Sequence, residues 1–235
     1  MPKTPVWRAI AATLMDEIAS GHYRPGDKLP TEAELSTRFG VNRHTVRRAL
    51  AELGTLGLTH ARRGAGVFVL SEPTDYRIGK RVRFHQNLTE AGRLPAKRIL
   101  TLQTRPSDKD EAEALALPPG ASVHVYEGLS LADGTPVALF RSVFPAQPFP
   151  NLLADLQFHQ SVTKALAAAG IEDYTRASTR LTAKTATATQ ALQLGISEGA
   201  PILRTVAINH DTTGRPIEYG HTWFVGDRIT LVVAD

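Results

Sequence analysis

One stretch, TEAELSTRFGVNRHTVRRALAELGTLGLTHARRGAGVFVL (residues 31–70), constrains this chain more than any other. Thr31 precedes Glu34 by three positions, the spacing at which hydroxyl and carboxylate cap a helix start reciprocally. Leu35 and Phe39 carry one apolar face, and Gly40 ends this short helix. Only FGVN separates it from the next helix, for which Asn42 is placed as N-cap. At 100° per residue, Val46, Ala49, Leu50 and Leu53 gather on one side of that helix. His44, Arg47, Arg48 and Ala51 fall on the other side, flanked by Arg43 and Thr45. Upstream, Trp7, Ile10, Ala11, Leu14 and Ile18 recur at spacings of three and four, which predicts a helix over 5–20 stopped by Gly21. Downstream, residues 58–61 and 67–69 read as strands around a tip of Arg62, Arg63, Gly64, Ala65 and Gly66.

A short helix, a tight glycine turn and a helix with a basic outer face describe a helix-turn-helix, whose second helix is suited to the DNA major groove. Guanidinium forks fit guanine edges or phosphates, and a threonine fits a phosphate or a thymine methyl. The basic hairpin that follows reads as a wing, with Gly64 and Gly66 allowing positive φ and close backbone approach. The bland alternative for each arginine is a solvated helix face. Against it stands the crowding of the outer face, where no acidic residue occurs before Glu52.

The run from PGDKLP to GVFV closely resembles the winged helix-turn-helix of GntR-type bacterial regulators, over roughly residues 5–70. The resemblance implies that Arg38, Arg43, Thr45, Arg47, Arg63, Gly64 and Gly66 contact operator DNA. Arg8, Thr31, His44, Arg48 and Arg62 complete the candidate DNA-binding set. Asn42 stands where that family more often has serine or threonine; all of these cap helices.

Charge is distributed unevenly. Residues 1–70 hold ten Lys and Arg against six Asp and Glu, and residues 71–98 hold seven against three. Residues 99–235 hold ten against fourteen, so two basic segments precede an acidic remainder. This pattern suits one polyanion and one smaller anion. The chain has no cysteine, which excludes disulfide scaffolds, thiolate metal sites and cysteine nucleophiles. No apolar run approaches the roughly 18 to 20 residues of a membrane span, and MPKTPVWRAI lacks a secretory core. A cytoplasmic protein with no membrane partner is expected.

Residues 71–76 read as a linker, and 77–235 as a second domain. There, AEALALPPGASVHVYEGLSLADGTPVALFRSVF resembles TQALQLGISEGAPILRTVAINHDTTGRPIEYGHTWF. Leu115 and Leu117 align with Leu192 and Leu194 at an offset of 77, and Gly134, Pro136 and Phe144 with Gly214, Pro216 and Phe224 at 80. Each copy reads as short helix, strand, glycine turn, strand. Two copies build one antiparallel sheet with pseudo-twofold symmetry, covered by helices such as 159–169. The expected fold class is α+β. The segment resembles the UTRA effector domain of the HutC subgroup, whose fold is shared with chorismate lyase; RPIEYGHTWFVGDRITL is its most recognisable part. YRIGKRVRFHQNL followed by EAG resembles the start of this domain in regulators of phosphonate metabolism.

Arg81 and Arg83 immediately precede Phe84, His85, Gln86, Asn87 and Leu88, which read as a helix start suited to phosphate or phosphonate. Arg141 lies mid-strand among apolar residues and, if inward, needs an anion or a carboxylate. Its repeat equivalent is His221, near Glu218, Tyr219 and Trp223. The candidate effector set is Arg81, Arg83, Phe84, Gln86, Asn87, Arg141, Ser142, Glu218, His221 and Trp223. Alternatives stand beside it: a salt bridge from Arg141 to Glu218 or Asp227, plain core packing for Trp223, and a structural turn at Asp227–Arg228. No HExxH, GxSxG or P-loop spacing occurs, and no metal site, cofactor or catalytic residue is expected.

The expected function is a ligand-responsive transcriptional regulator, a repressor by resemblance, that binds palindromic double-stranded operator DNA as a homodimer. Its effector is expected to be a small anion: a phosphonate, phosphate or phosphorylated metabolite. Two alternatives are a relative that controls sugar-phosphate or histidine-utilisation genes, and a chorismate-lyase-like enzyme with an accessory DNA-binding module.

Overall fold

The computed structural model describes residues 5–62, 64–70, 73–81 and 84–233. The chain divides into two compact units, Met1–Glu72 and Pro73–Asp235.

The first unit runs α1 (Val6–Ala19), α2 (Glu32–Phe39), α3 (Arg43–Thr55), β1 (Thr59–Arg62) and β2 (Gly66–Val69). Thr31 and Glu34 form the reciprocal cap of α2, and Asn42 Oδ1 accepts the Thr45 N–H at the start of α3. The turn between them needs Gly40, whose φ of 63° lies in the left-handed region. Ile10, Ala11 and Leu14 of α1 pack on Leu35 of α2 and on Val46, Ala49, Leu50 and Leu53 of α3. The apolar stripes of three short helices thereby make one core. β1 and β2 pair antiparallel, with Arg62 opposite Gly66, and the outer strand of this hairpin is fixed to the helical body through Leu29, whose N–H donates to Val67 O.

The second unit contains β3 (Thr74–Ile78), α4 (Phe84–Glu90), β4 (Pro95–Pro106), α5 (Lys109–Ala114), β5 (Ser122–Ala132), β6 (Thr135–Pro145), α6 (Leu152–His159), α7 (Val162–Ala168), β7 (Tyr174–Thr185), α8 (Ala188–Leu194), β8 (Pro201–Asp211), β9 (Pro216–Val225) and β10 (Ile229–Val233). Thr74–Tyr76, read from sequence as linker, form the first part of β3, which pairs in parallel with β10. The helix expected over 159–169 is α7, with α6 ahead of it.

Six strands form one antiparallel sheet in the order β4-β5-β6-β9-β8-β7. Read from either edge, the order is the same repeat, β4-α5-β5-β6 and β7-α8-β8-β9, meeting at β6 and β9. The two copies superpose at an offset of 79 through the helices, not 77. Asp108 and Thr187 both cap with a capping box. Leu115 and Leu194 are both buried, and Ala116 (φ 52°) and Gly195 (φ 62°) both end their helices left-handed. Leu192, the partner the leucine spacing suggests for Leu115, is 84% exposed. The 80-residue offset holds for β6 and β9, where Arg141 pairs directly with His221. A residue opposite its own repeat equivalent lies on the pseudo-twofold axis, so this pair marks it.

Strand alternation divides the sheet into two faces. On the Arg141–His221 face, α5 packs Leu115 on Val123, Val125 and Val143, and α8 packs Ala191 and Leu194 on Leu129 and Val225. On the opposite face, α6 and α7 pack Leu152, Leu156, Ala165 and Leu166 on Tyr126, Phe140 and Phe144. The other end of that face is covered by Tyr76 and Ile78 of β3, Leu88 of α4 and Ile229 of β10, against Ala138 and Phe224. A gap remains between the two covers.

Candidate functional site

In the first unit, α3 projects the expected basic side. Arg43 and His44 are exposed at its first turn, and the Thr45 hydroxyl donates to Asn42 Oδ1 at 2.9 Å. Arg47 forms a two-pronged ion pair with Glu32 of α2, Nε to Oε1 at 2.9 Å and Nη2 to Oε2 at 2.8 Å. The guanidinium holds the Glu32 carboxyl below the usual carboxylate range. Arg38 pairs with Glu17 of α1 and lies over the Phe39 ring. Arg48 and Arg8 stack on Trp7, at 4.4 Å and 5.1 Å from the ring centroid.

Thr31 is engaged in the cap of α2. In the hairpin, Gly64 and Gly66 have φ of 75° and 117°. Arg63 lies outside the described residues, as does the side chain of Arg62. Lys28, outside the candidate set, lies against the hairpin, its Cε 2.7 Å from where a Cβ on Gly66 would stand.

In the second unit, the gap between the covers is a cavity of about 380 Å³. Its floor is the central strands: Phe140 and Ser142 from β6, Glu218, Thr222 and Phe224 from β9, and Ser130 and Asn209 from β5 and β8. Its walls are Tyr76, Phe84, His85 and Gln86 on one side and Ser161, Val162, Thr163 and Lys164 on the other. Two cations enter from the edge strands, Lys97 from β4 and Arg176 from β7. They are repeat equivalents at the 79-residue offset, and so are the residues they bond. Lys97 Nζ donates to Ser130 Oγ at 3.1 Å, and Arg176 Nε to Asn209 Oδ1 at 3.4 Å.

Glu218 orients this array. Ser142 Oγ donates to its Oε1 and Asn209 Nδ2 to its Oε2, each at 2.6 Å. With its amide nitrogen donating to Glu218, Asn209 turns its carbonyl to Arg176. Lys97 lies 3.8 Å from the Phe140 ring centroid and 4.6 Å from that of Phe84. Burial pushes its ammonium down to about 7, against a smaller upward pull from Glu218. Burial also lowers His85, with Lys97 and Lys164 adding to the effect. The lining carries Lys97, Lys164 and Arg176 against one carboxylate, Glu218, and these groups can hold a compact anion.

The structure brings Phe84, Gln86, Ser142 and Glu218 of the sequence-derived set to this cavity. Arg81, Asn87, Arg141, His221 and Trp223 are not among its lining residues, and for these five the grouping does not hold. Arg141, His221 and Trp223 point from the opposite face, because consecutive strand residues alternate sides. Neither carboxylate offered from sequence pairs with Arg141: its partners are Glu111, at 2.9 Å, and Glu127, at 3.3 Å. His221 lies between Tyr219 and Trp223, with ring centroids 4.7 Å and 5.8 Å away. Asn87 is turned to the backbone of Arg77 in β3. Arg81 is in an ion pair with Asp173. Arg83 lies outside the described residues. Lys97, Lys164 and Arg176 were missed, although Lys97 alternates in register with the polar run of β4. Among the described residues, no acidic and histidine cluster could hold a metal ion, and no helix is long and apolar enough to cross a membrane.

The family model described as "Bacterial regulatory proteins, gntR family" matches residues 7–69, and that described as "UTRA domain" matches residues 90–230. The chain is 37% identical to the HTH-type transcriptional regulator RB1450 of Rhizobium meliloti (strain 1021), over 96% of this chain and 93% of the relative. It is 33% identical to the "probable transcriptional regulator PhnF" of Escherichia coli (strain K12), over 97% of this chain and 94% of the relative. Among solved structures, PhnF from Mycobacterium smegmatis matches at a TM-score of 0.68 and 26% identity, over 97% of this chain and 98% of that one.

Proposed function

Because the chain belongs to the GntR family of bacterial transcriptional regulators and carries a UTRA domain, we propose that it is a repressor released from DNA by a small phosphate- or phosphonate-bearing effector. The regulator binds DNA through its first unit and an effector through its second. One observation carries the choice of effector: Lys97 and Arg176 reach one cavity from symmetry-equivalent positions, with Lys164 at its wall. A tetrahedral anion offers oxygens in several directions, so cations that approach from opposite edges can each take one. Ser161, Thr163 and Thr222 add hydroxyls that suit the remaining oxygens or the effector's own polar groups, while the Ser142 hydroxyl is held by Glu218.

The operator is read by Arg43, His44, Thr45 and Arg47 on α3, with the wing against the backbone. A single winged helix reads only a few base pairs, so two copies on a palindrome supply the needed specificity. β3, which helps line the cavity, is the first element of the second unit and follows the DNA-binding unit in the chain. Tyr76 lines the cavity, and its strand begins two residues after the boundary at Glu72. A ligand that moves the Tyr76 ring therefore acts directly on the segment that leads to the DNA.

The test is ligand-induced thermal stabilisation across inorganic phosphate, alkylphosphonates, sugar phosphates and urocanate. Stabilisation by a phosphonate or phosphate ester, lost in Arg176→Met and kept in Arg141→Ala, supports the reading. Stabilisation that instead depends on Arg141 overturns the cavity assignment.

A further inference from the structure

The repeat exposes a second site, distinct from the effector cavity. In the second copy, the turn after β9 sends the side chain of Arg228 inward, where it is buried. Its guanidinium donates to Leu194 O at 2.9 Å, to Gly195 O at 3.2 Å and to Pro136 O. The first two are the last carbonyls of α8, which a cation satisfies both as hydrogen-bond donor and as charge at a helix C-terminus.

The first copy has the same three carbonyls, at Leu115, Ala116 and Pro216. The residue equivalent to Arg228, at the 80-residue offset of β6 and β9, is Pro148. Pro148 has neither the length nor a donor to reach them, and a cavity of about 410 Å³ lies in that place. Leu115, Ala116, Pro148 and Pro216 all line it, so the match extends to every residue whose counterpart the guanidinium bonds. Leu117, Phe149 and Ile217 add apolar wall, and Gln147 and Arg215 line the cavity as well. Arg215 stands beside them, its charge met by Asp211 at 3.2 Å.

We propose that this cavity binds a small molecule that ends in a guanidinium group and carries a short apolar body. The guanidinium takes the place that Arg228 fills in the other repeat, donating to Leu115 O, Ala116 O and Pro216 O, and the body lies on Leu117, Phe149 and Ile217. The volume is in the range of small-molecule sites and exceeds what one guanidinium fills, which favours a whole ligand over a single side chain. The site owes nothing to Lys97 or Arg176, so it stands or falls apart from the effector reading.

The experiment titrates butylguanidine into the full chain, with 1-pentanol as a neutral match and an arginine-containing tripeptide as a side-chain donor. The readout is the methyl resonances of Leu115, Leu117 and Ile217. Saturable shifts at these methyls, with butylguanidine at least about tenfold tighter than pentanol, are expected. In Pro148→Arg, which supplies the guanidinium from the chain itself, the titration is expected to disappear and the melting temperature to rise. If that variant does not fold, the wild-type comparison decides alone. Equal binding of pentanol and butylguanidine, binding of the tripeptide only, or shifts confined to other methyls would overturn the proposal.

Discussion

Lys97 shows how much one residue's surroundings decide. Held against Phe84 and Phe140, its ammonium titrates at about 7 rather than in the usual lysine range. The sign of the consequence follows from linkage. Between about 7 and the unfolded lysine value, the unfolded chain holds a proton that the folded chain has released, so stability rises with pH across that window. The cost of burying the charge is complete below about 7. An anion in the cavity restores the charge, so binding above neutral pH takes up a proton. Affinity is expected to fall by up to about tenfold per pH unit above 7, and Lys97→Met is expected to flatten that profile. Isothermal titration of wild type and variant in buffers of different ionisation heat measures both. An unchanged profile in the variant would assign the proton elsewhere. Gly128 is a second decisive residue: a Cβ there would lie 2.5 Å from Arg98 O and 2.9 Å from the Phe140 ring. Gly128→Ala is expected to destabilise the second unit by about 1–3 kcal/mol in denaturant titration, through overpacking beneath the cavity floor.

At the scale of elements, the first unit was almost wholly legible, because its determinants are local. Capping boxes, helical apolar periodicity and glycine turns each act within a few residues, and the structure has α2, α3 and the hairpin where those signals stand. Thr31→Ala removes the hydroxyl that accepts the Glu34 N–H, and is expected to cost about 1 kcal/mol of stability without altering sequence preference. Arg43→Ala is expected to cost about 1–3 kcal/mol of operator binding at one base position; a uniform loss with a shallower salt dependence would make it a phosphate contact. The second unit was legible as a repeat, in register at 80 over β6 and β9 but not over the helices. There, matching leucines two apart gave 77, whereas from N-cap to helix end the copies match at 79. The effector set failed for a related reason. Arg141 and Ser142 are neighbours in sequence and on opposite faces in a strand, which alternation alone could have said. Lys97 and Arg176 could not be found in this way, since their meeting depends on which strands become the sheet's two edges.

The whole molecule repeats its own logic. One pseudo-twofold axis passes through Arg141 and His221, and the two copies contribute equivalent cations to one cavity on the far face. The proposed homodimer on a palindrome would add a further twofold axis, as a self-complementary assembly requires. Reciprocity then binds the two ends together: an effector that weakens operator binding must itself bind the operator complex more weakly by the same factor. Operator anisotropy tests this account most directly, using the intergenic DNA beside the gene, with and without a saturating phosphonate or phosphate ester. Wild type is expected to bind specifically and to be released by the ligand, while Arg176→Met binds the same DNA and is not released. No specific binding, or release that survives loss of Arg176, would contradict it.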